Sequence, residues 1–315
     1  MKDNVLKKSI PFQDALKKYS LPIIIVLLCT VFTATNPIFI SGANLMNVVR
    51  QSAIMIIFAV GATFVMISGM IDISITGVAC VSSMIAAILM QNGTPMALGI
   101  LAAFGVGMLF GLLNGFLVTR FNLAPMIVTL ATNNLAAGAT LLISGGTAVY
   151  RLPENFMLLG RGYIGILPVQ VVIMALVVAV SIVILKCTVY GRRVYAIGGN
   201  AAVSKLTGIP VSPYKISYFM ICSMCAVLAG LIMTARNATA QPTPSTTTLM
   251  DVIAAVVIGG TSLDGGKGGV IGSVLGALML TIISNGLTIN AVSSYWQMVI
   301  SAGILLITII MYRND

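Results

Sequence analysis

Histidine is absent from this chain of 315 residues, and charged residues make up only 8% of it. Without an imidazole, acid–base catalysis by histidine and metal sites with histidine ligands are excluded. The seven carboxylates are also too few for us to expect a carboxylate cage around a metal ion. The shortage of charge excludes a disordered chain as well, because such chains are polar and highly charged. We therefore expect no catalytic residue, no metal and no cofactor.

Apolar residues, by contrast, make up 58% of the chain, and its mean hydropathy is +1.07. A soluble domain of this size has no interior large enough to bury so much apolar surface. A membrane protein is the class that fits. The basic excess, 17 Lys and Arg against 7 Asp and Glu, then indicates sidedness in a membrane and not binding to nucleic acid.

Long apolar segments recur along the chain and predict an all-α, polytopic membrane protein with about ten transmembrane helices. We expect residues 21–312 to form one transmembrane domain and residues 1–20 to form a basic, amphipathic lead-in on the cytoplasmic side. The predicted spans are 21–40, 51–70, 73–91, 94–119, 124–144, 166–187, 217–236, 248–263, 269–288 and 292–312. Segment 248–263 is short and the gap at 70–73 is too tight for an ordinary loop, so we expect broken or re-entrant helices there.

Basic residues fall mainly on one side of the predicted membrane. With the N-terminus in the cytoplasm, the inner side collects 13 of the 17 Lys and Arg residues, and the outer side keeps Arg50, Arg151, Arg161 and Arg236. This distribution fits the positive-inside rule with both termini cytoplasmic. The opposite orientation would invert the ratio.

Glycines recur at a spacing of four within the spans, which places them on one helix face and lets neighbouring backbones approach closely. The rows are Gly107, Gly111 and Gly115, and Gly268, Gly272 and Gly276. We interpret both rows as helix-packing faces, with direct lining of a permeation path as the alternative.

The glycine-rich stretch 259–269 is superficially like a phosphate-binding loop, but its spacing does not fit. If Lys267 were the P-loop lysine, Gly would be required where Thr261 stands, and Ser or Thr where Gly268 stands. The chain therefore has no nucleotide site of this kind. If ATP drives the protein, another subunit supplies the nucleotide chemistry.

Three segments, in order, resemble the inner-membrane permease subunits of sugar ABC importers, the ribose/xylose/galactose-type family. The first is SGMIDISITG at 68–77, similar to the family's SGGIDLSVG. The second is GRRVYAIGGNAA at 191–202 with LTGI at 206–209, similar to GxxxYAIGGNxxAAxLxGI. The third runs from IGGTSL at 258–263 through 265–266 to SNGL at 284–287. Met70 and Thr76 depart from the family pattern by adding bulk near Asp72.

The resemblance implies a multi-pass protein of the bacterial cytoplasmic (inner) membrane that imports a sugar by alternating access. It also implies partners: two ABC ATPase subunits on the cytoplasmic face, an extracytoplasmic solute-binding protein, and a second permease protomer that is either a copy of this chain or a paralogue. Membrane lipid surrounds the assembly, and nucleic acid is not a partner.

The inner loop 188–216 contains a candidate docking element. Asn200 is a good N-cap, residues 201–206 are suited to a short helix, and Gly208 is suited to ending it, with Pro210 and Pro213 preventing continuation. In the family this position resembles the coupling helix that fits a groove on the ATPase. The ATPase-coupling candidates are Arg192, Arg193, Asn200, Ala201, Ala202, Lys205 and Gly208. The alternative is a basic loop resting on anionic headgroups.

Neutral polar residues within the spans indicate the nature of the cargo. Amides and hydroxyls suit transient hydrogen bonds to a polyhydroxylated solute, although hydrogen bonding between helices is the alternative role. The translocation-path candidates are Asp72, Asn114, Thr129, Thr132, Asn133, Asn134, Ser284 and Asn285. For Asp72 we also consider capping of the third span together with Ser74 and Thr76, and we expect Asp251 to cap the eighth span.

The most favoured function is therefore the permease subunit of an importer for a monosaccharide or a similar small polar solute. A permease for branched-chain amino acids or nucleosides is an alternative within the same superfamily. An ion-coupled secondary transporter is a remote alternative, because apart from Asp72 the spans offer no charged coupling-ion site.

Overall fold

The computed structural model describes residues 11–312, with side chains placed over residues 20–303 and at residue 306. The fold is helical. The helices are α1 (Pro11–Thr35), α2 (Gly42–Ile67), α3 (Ile75–Gln91), α4 (Met96–Arg120), α5 (Pro125–Ser144), α6 (Glu154–Arg161), α7 (Val169–Cys187), α8 (Val189–Gly199), α9 (Ala201–Leu206), α10 (Val211–Asn237), α11 (Thr246–Ile258), α12 (Val270–Ile289) and α13 (Ser294–Tyr312). A 3-10 helix at Pro37–Ile40 follows α1, and two strands, β1 (Tyr163–Ile164) and β2 (Leu167–Pro168), form a small antiparallel hairpin.

Six of the described helices are long and apolar enough to cross a membrane: α2, α4, α5, α7, α10 and α12. Shorter apolar helices lie at Ser20–Thr35, Ile75–Gln91 and Thr246–Ile258. The predicted all-α polytopic class is therefore confirmed. The count of ten spans and the cytoplasmic location of both termini stay predictions, and residues 1–10 of the lead-in, like residues 313–315, lie outside the described residues.

Burial separates a central layer from a peripheral one. In the most apolar 18-residue stretch of α2, 78% of the residues are buried inside the protein, whereas the corresponding share in α7 is 17%. The core around α2 contains Phe58 and Phe64 and also Tyr218 and Phe219 of α10, all almost fully buried. Large apolar side chains on the outside of the bundle, such as Leu142 at 85% exposed, suit contact with lipid chains. The bundle is therefore built around α2 and α10.

Hydrogen bonds between the connecting segments and the helix ends show which connections share an end of the bundle. At one end, Gly266 N–H donates to the Ile67 carbonyl. At the other end, Asn36 donates to the Ile289 carbonyl, and Val149 pairs with Ala240. We call the first the inner end and the second the outer end, after the orientation expected from the basic residues.

The structure corrects the sequence analysis within the inner loop. The stretch Val189–Gly199 forms the additional helix α8, which was not predicted. As expected, α9 ends at Leu206, before Pro210 and Pro213. Pro213 falls in the first turn of the next helix, α10, where a proline has no helical hydrogen bond to lose. At the outer end, α6 and the β1–β2 hairpin were also not predicted.

Candidate functional site

The three segments of the inner end that carry the family resemblance meet in one tight contact. Gly198 packs against α2 so closely that an added Cβ would overlap the carbonyl oxygen of Ile67. A Cβ on Gly265 would lie 2.6 Å from Gly69 N and 2.8 Å from Gly198 O. Gly266 N–H donates to Ile67 O at 2.8 Å. We name Gly69, Gly198, Gly265 and Gly266 the glycine junction, because only residues without side chains allow these backbones to touch.

Tyr195 adds a side-chain link across the same junction. Its hydroxyl donates to the Gly268 carbonyl at 3.0 Å, which ties α8 to the loop before α12. Burial raises the pKa of this phenol, so the hydroxyl keeps its proton at neutral pH. Helix α8 is therefore held to the breaks after α2 and after α11 at once.

Helices α8 and α9 form the candidate coupling element. Arg192 and Lys205 are exposed, whereas Arg193 donates to the Tyr214 hydroxyl and lies over the Tyr214 ring, 5.4 Å from its centre. Arg193 thus fastens α8 to α10 and is less available to a partner than Arg192. Val203 and Leu206, which sequence reasoning did not select, are 53% and 87% exposed and give the element an apolar tip.

Hydrogen bonds at both ends define α9. The Asn200 side chain accepts from the backbone N–H groups of Ala202 and Val203, both at 3.0 Å. At the other end, Gly208 has φ of +83° and donates to Lys205 O. A left-handed residue after the last turn is the usual helix-ending geometry and is costly for residues other than glycine. Ala201 is half-buried against α10 and Ala202 is exposed.

Tyr190 anchors the start of α8. Its hydroxyl lies 2.6 Å from the Ser217 hydroxyl, and because Ser217 donates to the Tyr214 carbonyl, Tyr190 is the donor of that bond. Burial, followed by the neighbouring Tyr214, raises the pKa of Tyr190 to about 12. The coupling element therefore rests on a neutral aromatic contact with α10 and is not freely hinged.

The first glycine row faces α10. A Cβ on Gly111 would lie 2.7 Å from Met220 Cα, one on Gly115 would lie 2.6 Å from Ile216 Cα, and one on Gly107 would overlap a Val227 methyl group. Helices α4 and α10 therefore touch backbone to backbone along this row.

The second glycine row is only partly helical, which corrects the prediction of one continuous face. Gly268 lies before α12, with φ of +133°, and packs on Thr261. Gly272 and Gly276 are on α12, where an added Cβ would overlap the carbonyl oxygens of Gly259 and Ala255. The two helical glycines therefore set the close packing of α12 on α11.

Asp72 lies in the non-helical stretch between α2 and α3 and is 3% exposed. Its Oδ1 accepts from the Ser74 backbone N–H at 2.8 Å and from the Ser74 hydroxyl at 2.6 Å. Asn114 on α4 donates to the Ser74 hydroxyl at 2.8 Å. Ser74 itself makes no side-chain cap, so the carboxylate fixes the turn that leads into α3.

The threonines and asparagines of α5 lie beside the same turn. Thr129 Oγ1 is 3.4 Å from Ile71 O but 2.8 Å from the carbonyl of its own helix, and Thr132 donates to Thr129 O. Asn133 accepts from Gly77 N–H at 3.0 Å, whereas Asn134 is exposed on the outside of the helix. Of the path candidates, Asp72, Asn114, Thr129 and Asn133 are thus brought together around the start of α3.

Asn285 and Ser284 lie on α12, away from that group. Asn285 and Asn44 on α2 exchange two amide hydrogen bonds of 2.9 Å, which join the outer ends of the two helices. Ser284 lies close to Gln297 and lines an outer cavity.

This outer cavity, which we call the first chamber, has a volume of ≈ 220 Å³ and lies between α2, α10, α11 and α12. Its lining is mixed, with apolar walls and several amides, hydroxyls and charges. The lining residues are Gln51, Ile54, Met55, Phe58, Met233, Arg236, Asn237, Thr248, Asp251, Leu280, Thr281 and Ser284. A small polar solute is the kind of ligand that such a lining suits.

A second chamber of ≈ 110 Å³ adjoins the first. The two share Phe58, Met233, Asn237 and Thr248, and the second extends along α3 past Cys80 to the connection between α10 and α11. Cys80 donates to the carbonyl of Gln241 in that connection.

Sequence reasoning missed most of the residues around the chambers. Asp251 was expected to cap α11, but Ser245 is the cap, accepting from Thr248 N–H at 3.1 Å. Asp251 lies nearly two turns later and lines the first chamber. The polar segment at 238–248, which leads into the short predicted span, is the sequence feature that could have indicated a polar cavity here.

Comparison with known proteins gives consistent relatives. A family described as "Branched-chain amino acid transport system / permease component" matches residues 44–309. The chain is 36% identical over 310 residues to the ribose import permease protein RbsC of Bacillus subtilis, covering 98% of this chain and 96% of that protein. It is 38% identical to RbsC of Haemophilus influenzae, covering 91% of this chain and 90% of that protein.

A relative named for another sugar is also similar. The D-allose transport system permease protein AlsC of Escherichia coli is 34% identical over 309 residues, covering 96% of this chain and 94% of that protein. The search of solved structures found no significant match to the chain.

Proposed function

The chain belongs to this family of transport-system permease components, and we propose that it is the membrane-spanning permease subunit of an ABC importer for a monosaccharide. The observation that supports this most directly is full-length similarity to proteins named as ribose and D-allose permeases. As a family member with many apolar helices, it is a multi-pass protein of the bacterial cytoplasmic (inner) membrane. Its relatives are transport components and not enzymes.

Import of branched-chain amino acids or nucleosides is less favoured. The family description includes branched-chain amino acids, but relatives that are similar over nearly the whole length are named for ribose and D-allose. An ion-coupled secondary transporter is not favoured either, because the chain belongs to a family of transport-system components.

The power for transport comes, in this proposal, from separate ATPase subunits that dock on α8 and α9. Arg192 and Lys205 provide charge and Val203 and Leu206 provide an apolar tip, a combination suited to a protein groove. The glycine junction then passes movement of α8 to the breaks after α2 and α11. An external binding protein delivers the sugar at the outer end, and a second permease protomer, identical or paralogous, completes the assembly with about ten spans and cytoplasmic termini in each chain.

Uptake in proteoliposomes tests the proposal. The permease is reconstituted with its ATPase and binding protein and offered labelled D-ribose, D-allose, adenosine and leucine in separate assays. We expect ATP-dependent accumulation of a sugar, none of adenosine or leucine, and none when the ATPase is left out. Accumulation of leucine or adenosine alone, or uphill uptake by the permease without the ATPase, would contradict the proposal.

A further inference from the structure

We infer that the two adjoining outer chambers form one binding site for a single neutral sugar, in which Asp251 accepts hydrogen bonds from sugar hydroxyls. This inference rests on the proposed function and deepens it. The chambers, of ≈ 220 and ≈ 110 Å³, share Phe58, Met233, Asn237 and Thr248 in their walls and therefore lie side by side. Together their walls come from five helices of one chain: α2, α3, α10, α11 and α12.

Asp251 supplies the first argument, because it has an acceptor without a donor. Its Oδ1 is buried and has no hydrogen-bond partner in the described part of the chain, although Ser301 on α13 lies within hydrogen-bonding reach of the carboxyl group. A buried acceptor left unpaired is destabilising, and a carboxylate within membrane spans is usually functional. Since Ser245 caps α11, Asp251 is not used for capping. A ligand hydroxyl would provide the missing donor.

The charges of the chamber supply the second argument. Arg236 lines the same chamber as Asp251, yet within the described residues no nitrogen of Arg236 comes within 4.0 Å of an Asp251 oxygen. Arg236 is held instead at the rim, where it donates to the Asn47 side chain at 2.6 Å. Arg50 lies near Arg236 at this rim, with its guanidinium over the Tyr163 ring. One acidic and one basic group on separate walls favour a neutral ligand that contacts both.

The remaining lining suits a sugar. Gln51, Thr248 and Ser284 each donate and accept hydrogen bonds, as a sugar hydroxyl does. Phe58 and Leu280 form apolar walls for the C–H face of a sugar ring.

The first experiment replaces the carboxylate in the complete complex, reconstituted with ATPase and binding protein and assayed with labelled D-ribose and D-allose. D251N keeps the side-chain shape and removes charge and acceptor strength. With the binding protein saturated with sugar, we expect the rate of sugar uptake to fall about tenfold. A fall of that size corresponds to the loss of one hydrogen bond to a charged group. D264N, which changes an exposed carboxylate at the inner end, is the matched control and should transport as the wild type does.

The second experiment detects the sugar directly through Cys80, which lines the second chamber. In a complex whose permease keeps only Cys80, an excess of D-ribose should slow modification by a small thiol reagent several-fold relative to an equal concentration of glycerol. In a complex that keeps only the exposed Cys187, outside the chambers, the sugar should have no effect.

The outcomes separate the inference from the proposed function. If the wild-type complex accumulates no sugar, the proposed function is wrong and this inference with it. If the wild-type complex accumulates sugar, but D251N transports as well as it does and sugar leaves the Cys80 rate unchanged, only the chamber is wrong.

Discussion

The glycine junction and the outer chambers are built in opposite ways. At the glycine junction, backbones touch and an added Cβ has little or no room. At the outer end, α2, α10, α11 and α12 separate around the first chamber, where the buried Asp251 Oδ1 has no hydrogen-bond partner among the described residues. A tight contact transmits displacement, because close-packed atoms move together, whereas a cavity admits a ligand. This difference favours force transmission at the junction and cargo binding at the chambers.

The largest effect that tests this contrast is expected for Gly198→Ala. The added Cβ would overlap Ile67 O and approach Gly266 N at 2.7 Å, and both are backbone atoms that cannot rotate away. We expect ATP-driven uptake to fall to background and the unfolding temperature in detergent to fall, in keeping with an overpacking cost of ~1–3 kcal/mol or more. The control is Gly199→Ala, where nothing lies within 4 Å of the new Cβ. Equal uptake by the two variants would show that the junction does not transmit force.

A smaller effect is expected for Gly111→Ala at the contact of α4 with α10. The Cβ would lie 2.7 Å from Met220 Cα, so the helices must separate, at a cost of ~1–3 kcal/mol. Gly105→Ala on the same helix has open space and should be neutral or stabilising by up to ~1 kcal/mol through helix propensity. Thermal unfolding of the purified permease measures both. An equal gain of stability in the two variants would show that propensity, not packing, governs these sites.

A local effect is expected for Gly208→Val. Its φ of +83° costs a non-glycine residue ~1–2 kcal/mol, and more for a β-branched one, so the end of α9 should unwind. We expect sugar-stimulated ATP hydrolysis by the complex to fall severalfold while the permease stays folded. Gly208→Asn is the control, since asparagine tolerates this conformation. Unchanged ATPase stimulation in the valine variant would mean that α9 does not couple the subunits.

The smallest effect is expected at the outer end, for the Asn44–Asn285 pair. Asn285→Ala leaves Asn44 Oδ1 buried without its donor, although Asn44 Nδ2 still donates to Phe39 O, and should cost about 1 kcal/mol in the free energy of unfolding. The double variant Asn44→Leu with Asn285→Leu removes both polar groups and should cost less than the single one. A double variant that is less stable than the single would show that the amide pair is specifically required.

Local features of the sequence predicted the fold well, and long-range packing explains the remainder. Helix α9 has the predicted residues, because its signals, Asn200 and the glycine at 208, lie within nine residues of each other. Helix α8 was missed because VYGRRVYAIGG contains three glycines, and its stability comes from packing on α7 and α2 at the junction. The path candidates were chosen by residue type, but which helix faces meet depends on tertiary packing, so only Ser284 lines a chamber.

The two short helices have a consequence for the permeability barrier. At 1.5 Å per residue, α11 is about 20 Å long and α3 about 26 Å, against roughly 30 Å of hydrocarbon. The connections that flank both helices must therefore complete the crossing, and their backbone groups need hydrogen-bond partners inside the protein. The barrier to ions thus includes these connections as well as the helices.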